Sequence, residues 1–222
     1  MQRILEPELM TDEEQARAYA AVDWESTHSI YPKVFAAEFA SLPEEATVLD
    51  LGCGTADITI RFARAFPQFR FDALDGSPAM LTCAAAALQR HPDVASRIHL
   101  IEGMLPGAPL PQKEYDVIIS NSLLHHLPDP QALWQAVQRG GVTGTRVFVT
   151  DLFRPASLAT AKALVDQYAT GEPDIFRRDF LNSLLAAFSP GEVQAQLTTA
   201  GLESLKVKVM SDRHLLVAGR LG

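Results

Sequence analysis

Two cysteines occur in 222 residues, Cys53 and Cys83. Such a pair makes no disulfide framework and no zinc-ligand spacing, so two free thiols in a reducing cytoplasm are expected. No eighteen apolar residues run together, and the opening MQRILEPELMTDEEQ lacks the basic and apolar blocks of a signal. A soluble intracellular chain without a membrane partner follows. Basic runs are missing too. With 19 Lys and Arg against 27 Asp and Glu, the net charge is −8, a field that repels nucleic acid and favours a small-molecule partner. No Gly-Lys-Ser/Thr follows a glycine turn, which excludes Walker-A phosphate binding.

What is present is a chain of 47% hydrophobic residues, enough for one α/β domain with a substantial core. The organising stretch is TVLDLGCGTADITIRFAR, residues 47–64. The apolar run Val48 to Leu51 reads as a strand, Gly52-Cys53-Gly54 as a tight turn, and Ile58, Ile60, Phe62 and Ala63 as one face of a helix. Gly52 and Gly54 allow a backbone to approach a ligand closely, and the helix start offers unpaired N–H groups. A dinucleotide fingerprint would carry a third glycine where Asp57 stands, and a carboxylate there opposes a diphosphate. Asp50 and Asp57 together favour a cationic ligand, an ammonium or a sulfonium. S-adenosylmethionine carries both.

VLDLGCGTA resembles the first motif of class I S-adenosylmethionine-dependent methyltransferases, (Val/Leu)-Leu-Asp-x-Gly-x-Gly-(Thr/x)-Gly, with Ala56 in place of the last glycine. The resemblance runs from about Thr47 to Leu221. It implies a Rossmann-like, seven-stranded, mostly parallel sheet with helices on both faces and an antiparallel last strand. Residues 1–42 are expected as a helical lid, 43–151 as the cofactor-binding core, 152–188 as a helical cap inserted after the fifth strand, and 189–222 as a helix and hairpin. The function implied is methyl transfer from S-adenosylmethionine to a small acceptor by a monomer or homodimer. The alternatives are a protein that binds this cofactor without methylating, and a nicotinamide-dependent oxidoreductase.

Asp75 ends the second strand about 20 residues beyond the glycines, placed to accept both ribose hydroxyls. It could instead cap the helix that begins at Pro78, a role equally open to Ser77. By resemblance Gly76, Met80, Gly103 and Leu105 also border the cofactor. Met104 stands where many members have an acid for the adenine amino group, which implies apolar packing on the ring. Tyr115 to Ser120 forms a nearly continuous apolar strand, as in a sheet covered on both faces. It leads into Asn121 and the pair His125-His126, similar to the family's HH(L/I/V)-x-D segment and expected beside the transferred methyl. An extended backbone lets only one of the pair face the pocket. No third ligand stands at metal-like spacing, so no metal is expected. His125, His126 and Asp151 are the candidate bases, Asp151 being as suitable for capping the next helix.

Lid aromatics Tyr19, Trp24 and Tyr31, with His28, are acceptor-side candidates, although an aromatic at helical spacing usually packs and a loop histidine is usually solvated. Tyr168, Arg154, Arg177 and Arg178 are further candidates, guanidinium groups being suited to a substrate carboxylate; at least one of Arg177 and Arg178 is expected on a solvated face. A hairpin, Glu203 to Met210 and His214 to Arg220, closes the chain.

Overall fold

A computed structural model describes residues 1–7 and 9–222. Its strands are β1 (Ala46–Leu51), β2 (Phe69–Asp75), β3 (Ile98–Glu102), β4 (Val117–Asn121), β5 (Arg146–Leu152), β6 (Lys206–Val209) and β7 (His214–Arg220). They form one sheet in the order β3-β2-β1-β4-β5-β7-β6. β1 to β5 are mutually parallel and β7 runs antiparallel between β5 and β6. The Rossmann-like sheet and closing hairpin are therefore as the sequence implies. Strand order reverses between β1 and β4, and the crevice beyond their carboxyl ends is where an open α/β sheet binds ligands.

Alternation along the strands sorts the core into two faces. Val48, Phe71, Val117, Ile119 and Phe148 belong to one buried cluster with α3 (Tyr31–Glu38), α4 (Asp57–Ala65) and α5 (Pro78–Arg90). Leu49, Leu51, Ile118, Val147 and Val217 belong to the other, with α7 (Gln131–Gly140) and α10 (Pro190–Thr199). Phe35, Phe62, Phe66 and Phe148 meet at centroid distances of 5.4–6.1 Å. Each such ring contributes on the order of 1.5–3 kcal/mol by leaving water. On the other face the buried Trp134 donates its indole N–H to Gln196 Oε1 at 3.1 Å, satisfying the one polar atom of a large apolar side chain.

Helix starts follow local chemistry. Asp12 caps α1 (Glu13–Ala20) by accepting from the Gln15 N–H, Ser157 caps α8 (Leu158–Tyr168), and Ser189 with Glu192 makes a capping box for α10. The cap of α5 is Ser77, which accepts from the Met80 N–H at 3.2 Å, so Asp75 is free of that duty. Asp151 is likewise not the cap of α8. α8 and α9 (Asp174–Ala186) hold a small core of their own with Leu152, built on Ala161, Leu164, Val165 and Leu184. Short helices α2 (Glu25–His28) and α6 (Pro92–Ala95) complete the set. Among the described residues no helix is long and apolar enough to cross a membrane.

The amino-terminal segment is pinned at both ends of its run. Arg3 donates to the carbonyls of His125 (2.8 Å), Leu127 (3.0 Å) and Ala186, and the Ile4 N–H to Leu185 O at 3.0 Å. Further on, the Ser77 hydroxyl donates to Met10 O at 2.6 Å. The strap thus reaches from the histidine loop to the turn after β2.

Candidate active site

A cavity of ≈ 510 Å³ opens at the carboxyl ends of β1, β2 and β4 beneath the strap, within the size range of small-ligand sites. One end is built by the glycine turn. Gly52 (φ +73°) and Gly54 (φ +54°) occupy the left-handed region, which only glycine enters at little cost. Ala56 shares that conformation at φ +62°, so the departure from glycine carries backbone strain of about 1–2 kcal/mol. A Cβ at Gly54 would lie 3.2 Å from the Met80 Cε, and one at Gly76 would strike the Met104 Sδ. Those two methionines therefore close down on the backbone floor.

Asp75 ties the two turns together. Its Oδ2 accepts the Gly54 N–H and its Oδ1 the Ser77 N–H, each at 2.8 Å. A carboxylate has about four lone-pair sites, so two acceptor positions remain for a ribose diol. Asp50 is buried and accepts from the Thr59 hydroxyl at 2.5 Å; burial pushes its carboxyl up to about 7. Burial also raises Asp75, against the pull of the N–H donors, and drives the Cys53 thiol well up, leaving Cys53 a wall and not a nucleophile. These features fit an adenosine-bearing cation.

The opposite end is assembled from distant segments. Leu124–His126 is a 3-10 turn, not extended chain, and so both imidazoles reach the cavity wall, with ring centroids 4.2 Å apart. Asp151 Oδ1 lies 2.5 Å from His125 Nδ1. Burial opposes a charged His125, but the charge and hydrogen bond of Asp151 outweigh it and hold the imidazole above its usual range. His126 is lowered well below that range by burial and by the neighbouring His125. Glu6, from the strap, sets its Oε1 3.5 Å from His125 Nε2 and 3.2 Å from His126 Nδ1; burial raises its carboxyl.

A methyltransferase-domain family profile matches residues 49–140, the span holding the glycine turn, Asp75 and the histidine loop. Over that span, about two fifths of its length, the chain is similar to methyltransferase domains. Among curated relatives, a malonyl-[acyl-carrier protein] O-methyltransferase of Halalkalibacterium halodurans is 38% identical over 87 residues, 39% of this chain and 32% of that protein. A trans-aconitate 2-methyltransferase of Deinococcus radiodurans is 38% identical over 114 residues, 49% of this chain and 41% of that protein. The chain thus spans about a third to two fifths of the curated relatives it matches. An S-adenosylmethionine-dependent methyltransferase from Aquifex aeolicus has the same fold, with a TM-score of 0.70 at 17% identity, covering 95% of this chain and 99% of that one.

The residues expected at the cofactor end, Asp50, Gly52, Cys53, Gly54, Asp57, Asp75, Gly76, Met80, Gly103, Met104, Leu105 and Asn121, all line the cavity there; His126, expected to meet the cofactor as well, lines the opposite end beside Glu6. Asp57 needs a correction in its chemistry. Its Oδ2 already meets His28 Nδ1 at 2.7 Å and Arg61 Nε at 2.9 Å, and these hydrogen bonds overcome burial to lower its carboxyl. It is no free anion awaiting a sulfonium, although at the start of α4 it still opposes a phosphate. His28 is buried, not solvated. Trp24 stacks on it at 4.7 Å with rings 3° from parallel, and Tyr19 and Tyr31 flank that stack as part of the cavity wall.

Three acceptor-side expectations fail on geometry. Arg154 lies off the cavity, its guanidinium held by Glu192 at 2.7 and 2.8 Å and by the carbonyls of Met1 and Ala187. Arg177 is likewise spent on Asp166 and the Ala169 carbonyl. Asp151 does not touch the cavity; it stands behind His125 and orients it. Tyr168 and Arg178 do line the cavity, the former donating to Asp212 beneath the Arg213 guanidinium and the latter paired with its neighbour Asp179. Sequence reasoning missed Glu6, Phe176, Phe180, Arg213 and His214. None carries a local motif, since each is brought in by the strap, by α9 or by the β6–β7 turn. No third potential donor stands at metal-like spacing in the sequence, but the fold brings one beside the histidines, Glu6, from 119 residues away.

Proposed function

We propose that the chain transfers a methyl group from S-adenosylmethionine to a small-molecule acceptor. The observation that carries this reading is the Asp75 carboxylate locking the Gly54 turn to the Ser77 turn, with two acceptor positions left over and the histidine face across the same cavity. Bound there, the cofactor supplies a methyl group already activated by its sulfonium.

In this reading Asp75 receives the ribose hydroxyls, and the backbone of Gly52, Cys53 and Gly54 approaches the amino-acid portion above Asp50. Met80, Met104 and Leu105 pack on the adenine, with Gly76 and Gly103 giving it room and Asn121 at the edge. Tyr19, Trp24, His28 and Tyr31 exclude water on the acceptor side, Tyr168 and Arg178 standing at its mouth. Holding acceptor and methyl in line within such walls can supply on the order of 7–11 kcal/mol. His125, oriented by Asp151, and His126 take their catalytic place beside the acceptor atom. The names of the two curated relatives, trans-aconitate and malonyl-[acyl-carrier protein], support an acceptor bearing a carboxylate, for which Arg178 and Arg213 are cationic partners on the wall. The acidic net charge supports a partner other than nucleic acid, and free Cys53 and Cys83 support a cytoplasmic setting. The four segments expected from the sequence act as one unit, a monomer or homodimer.

Calorimetry against S-adenosylhomocysteine and NAD tests the cofactor, and turnover on a panel of small carboxylic and hydroxylated acceptors tests the reaction. Tight binding of the former alone, with methylated product, is expected. Binding of NAD alone would overturn the reading, and cofactor binding with no turnover on any acceptor would move it to a non-methylating binder.

A further inference from the structure

We propose that Glu6, His125 and His126 form a site for one divalent first-row transition cation, such as Zn²⁺, in the wall of the acceptor end. Among the described residues this is the one place where three potential metal donors converge, their ligating atoms all within 4.8 Å of one another. Two of the three separations, 3.2 Å from Glu6 Oε1 to His126 Nδ1 and 3.5 Å from Glu6 Oε1 to His125 Nε2, match the edge of about 3.3–3.4 Å that a tetrahedral ion with bonds near 2.0–2.1 Å imposes on its donors.

A second observation is independent of that spacing. Glu6 Oε1 and His126 Nδ1 are buried and make no hydrogen bond, although buried polar atoms nearly always do. The Glu6 side chain is only 9% exposed and that of His125 only 3%, so water does not compensate freely. A cation between them would satisfy both orphaned atoms and the free Nε2 of His125 together.

The surroundings are those of a ligand set. His125 offers Nε2 because its Nδ1 is committed to Asp151 at 2.5 Å, the carboxylate–histidine arrangement that fixes the ring and strengthens it as a donor. The other oxygen of Glu6 receives the Ser183 hydroxyl at 3.4 Å, which turns Oε1 toward the histidines. Arg3 anchors the strap to the histidine loop itself through the carbonyls of His125 and Leu127, so ligands 119 residues apart in sequence are held in register. Two imidazoles and a carboxylate suit zinc, iron, nickel or cobalt over magnesium or calcium. Three protein donors leave a position open to the cavity, the pattern of a reactive and not a sealed structural site. That position would take an acceptor's carboxylate or hydroxyl oxygen. This role rests on the methyl-transfer reading, whereas the binding does not.

The test uses the full chain stripped with a chelator, dialysed against Zn²⁺ alone and assayed for bound metal, with Co²⁺ as an optical probe of geometry. We expect about one equivalent per chain and a tetrahedral visible band with Co²⁺. Glu6→Gln and His126→Ala should each weaken Zn²⁺ on the order of 100-fold or more, since even outer-shell losses cost 10–100-fold. Both variants should bind S-adenosylhomocysteine as wild type, which reports an intact fold at the opposite end. No bound zinc in the wild-type chain, or zinc retained in the Glu6→Gln/His126→Ala double variant, would overturn the site. One equivalent of zinc in a chain that fails to bind S-adenosylhomocysteine would support the site while overturning the methyl-transfer reading.

Discussion

The two ends of the cavity are built by opposite strategies. The cofactor end comes from turns following β1, β2 and β3, and its central contact joins residues 21 positions apart, Gly54 and Asp75. The acceptor end draws on residue 6, the loop at 125–126, Asp151, α9 and the β6–β7 turn; its defining contacts span 119 and 26 residues. The first is a consequence of two successive β-α units and needs little beyond the sheet. The second exists only once the strap and the cap have closed over the sheet, and it places charged and titratable groups where water is scarce. The two meet where Leu123, leading into the histidine turn, packs within 2.9 Å of where a Cβ on Gly52 would stand. A local turn and a long-range loop therefore share one contact.

If the two ends are separable in function, substitutions should split turnover from cofactor affinity. The largest effect is expected at the acceptor end. His126→Asn removes both a candidate base and a proposed metal donor of the acceptor end, and should lower turnover on the order of 10²-fold or more, with S-adenosylhomocysteine affinity changed less than about twofold. Steady-state kinetics beside calorimetry would show it, and parallel losses in both would break the division. Next comes Asp75→Ala. Removing hydrogen bonds to a charged group, about 1.5–3 kcal/mol each, should weaken S-adenosylhomocysteine on the order of 100-fold, and the Gly54 and Ser77 N–H groups left without their acceptor should lower the thermal transition of the unliganded chain by several degrees.

A smaller effect tests the electrostatics of the cofactor end. Burial raises the Asp50 carboxyl to about 7 in the folded state, against about 3.9 for an unfolded aspartate. A group raised on folding contributes stability that is whole below the unfolded value and is lost as pH climbs through the folded one. Unliganded wild type should therefore lose stability relative to Asp50→Asn between about pH 4 and 7, measured by denaturant unfolding across that window. A cationic ligand draws the carboxylate into its charged form, so affinity for S-adenosylmethionine should rise over the same interval and flatten in Asp50→Asn. A flat difference in both experiments would show that Asp50 does not sense the ligand.

The smallest change is expected at Ala56. Its left-handed backbone is relieved by Ala56→Gly, by about 1–2 kcal/mol, but the substitution adds unfolded-chain entropy worth about 0.4–1 kcal/mol and removes a fully buried methyl. The net shift should stay within about 1 kcal/mol and leave cofactor affinity unchanged. A larger gain would mean that the residue strains the turn more than its φ suggests.

The same contrast explains what could be read in advance. Strand, turn and helix around Gly52 and Gly54 follow from periodicity and backbone freedom, which act over a few residues, and Asp75 follows from the fixed length of a β-α-β unit. His125 and His126 were visible as a pair, yet their joint presentation was not, because residue order alone does not separate a 3-10 turn at Leu124–His126 from an extended segment. Arg154 and Arg177 looked like substrate partners from charge alone; Glu192 and Asp166 claim them, and such pairing depends on neighbours that the order of residues does not reveal. His28 reads as a polar loop residue until α2 turns it under Trp24 and onto Asp57.

By itself, then, the sequence determined the sheet, the glycine turn and an acid at the end of the second strand, since local conformational preference and two-residue alternation suffice to specify them. Only the tertiary structure decided which charges are spent and which remain. It paired Asp57 with His28 and Arg61, placed Asp151 behind His125, and carried Glu6 across the cavity to two histidines. Electrostatic interactions act through space and depend on burial, so their outcome is set by how the chain closes and not by the order in which its residues are joined.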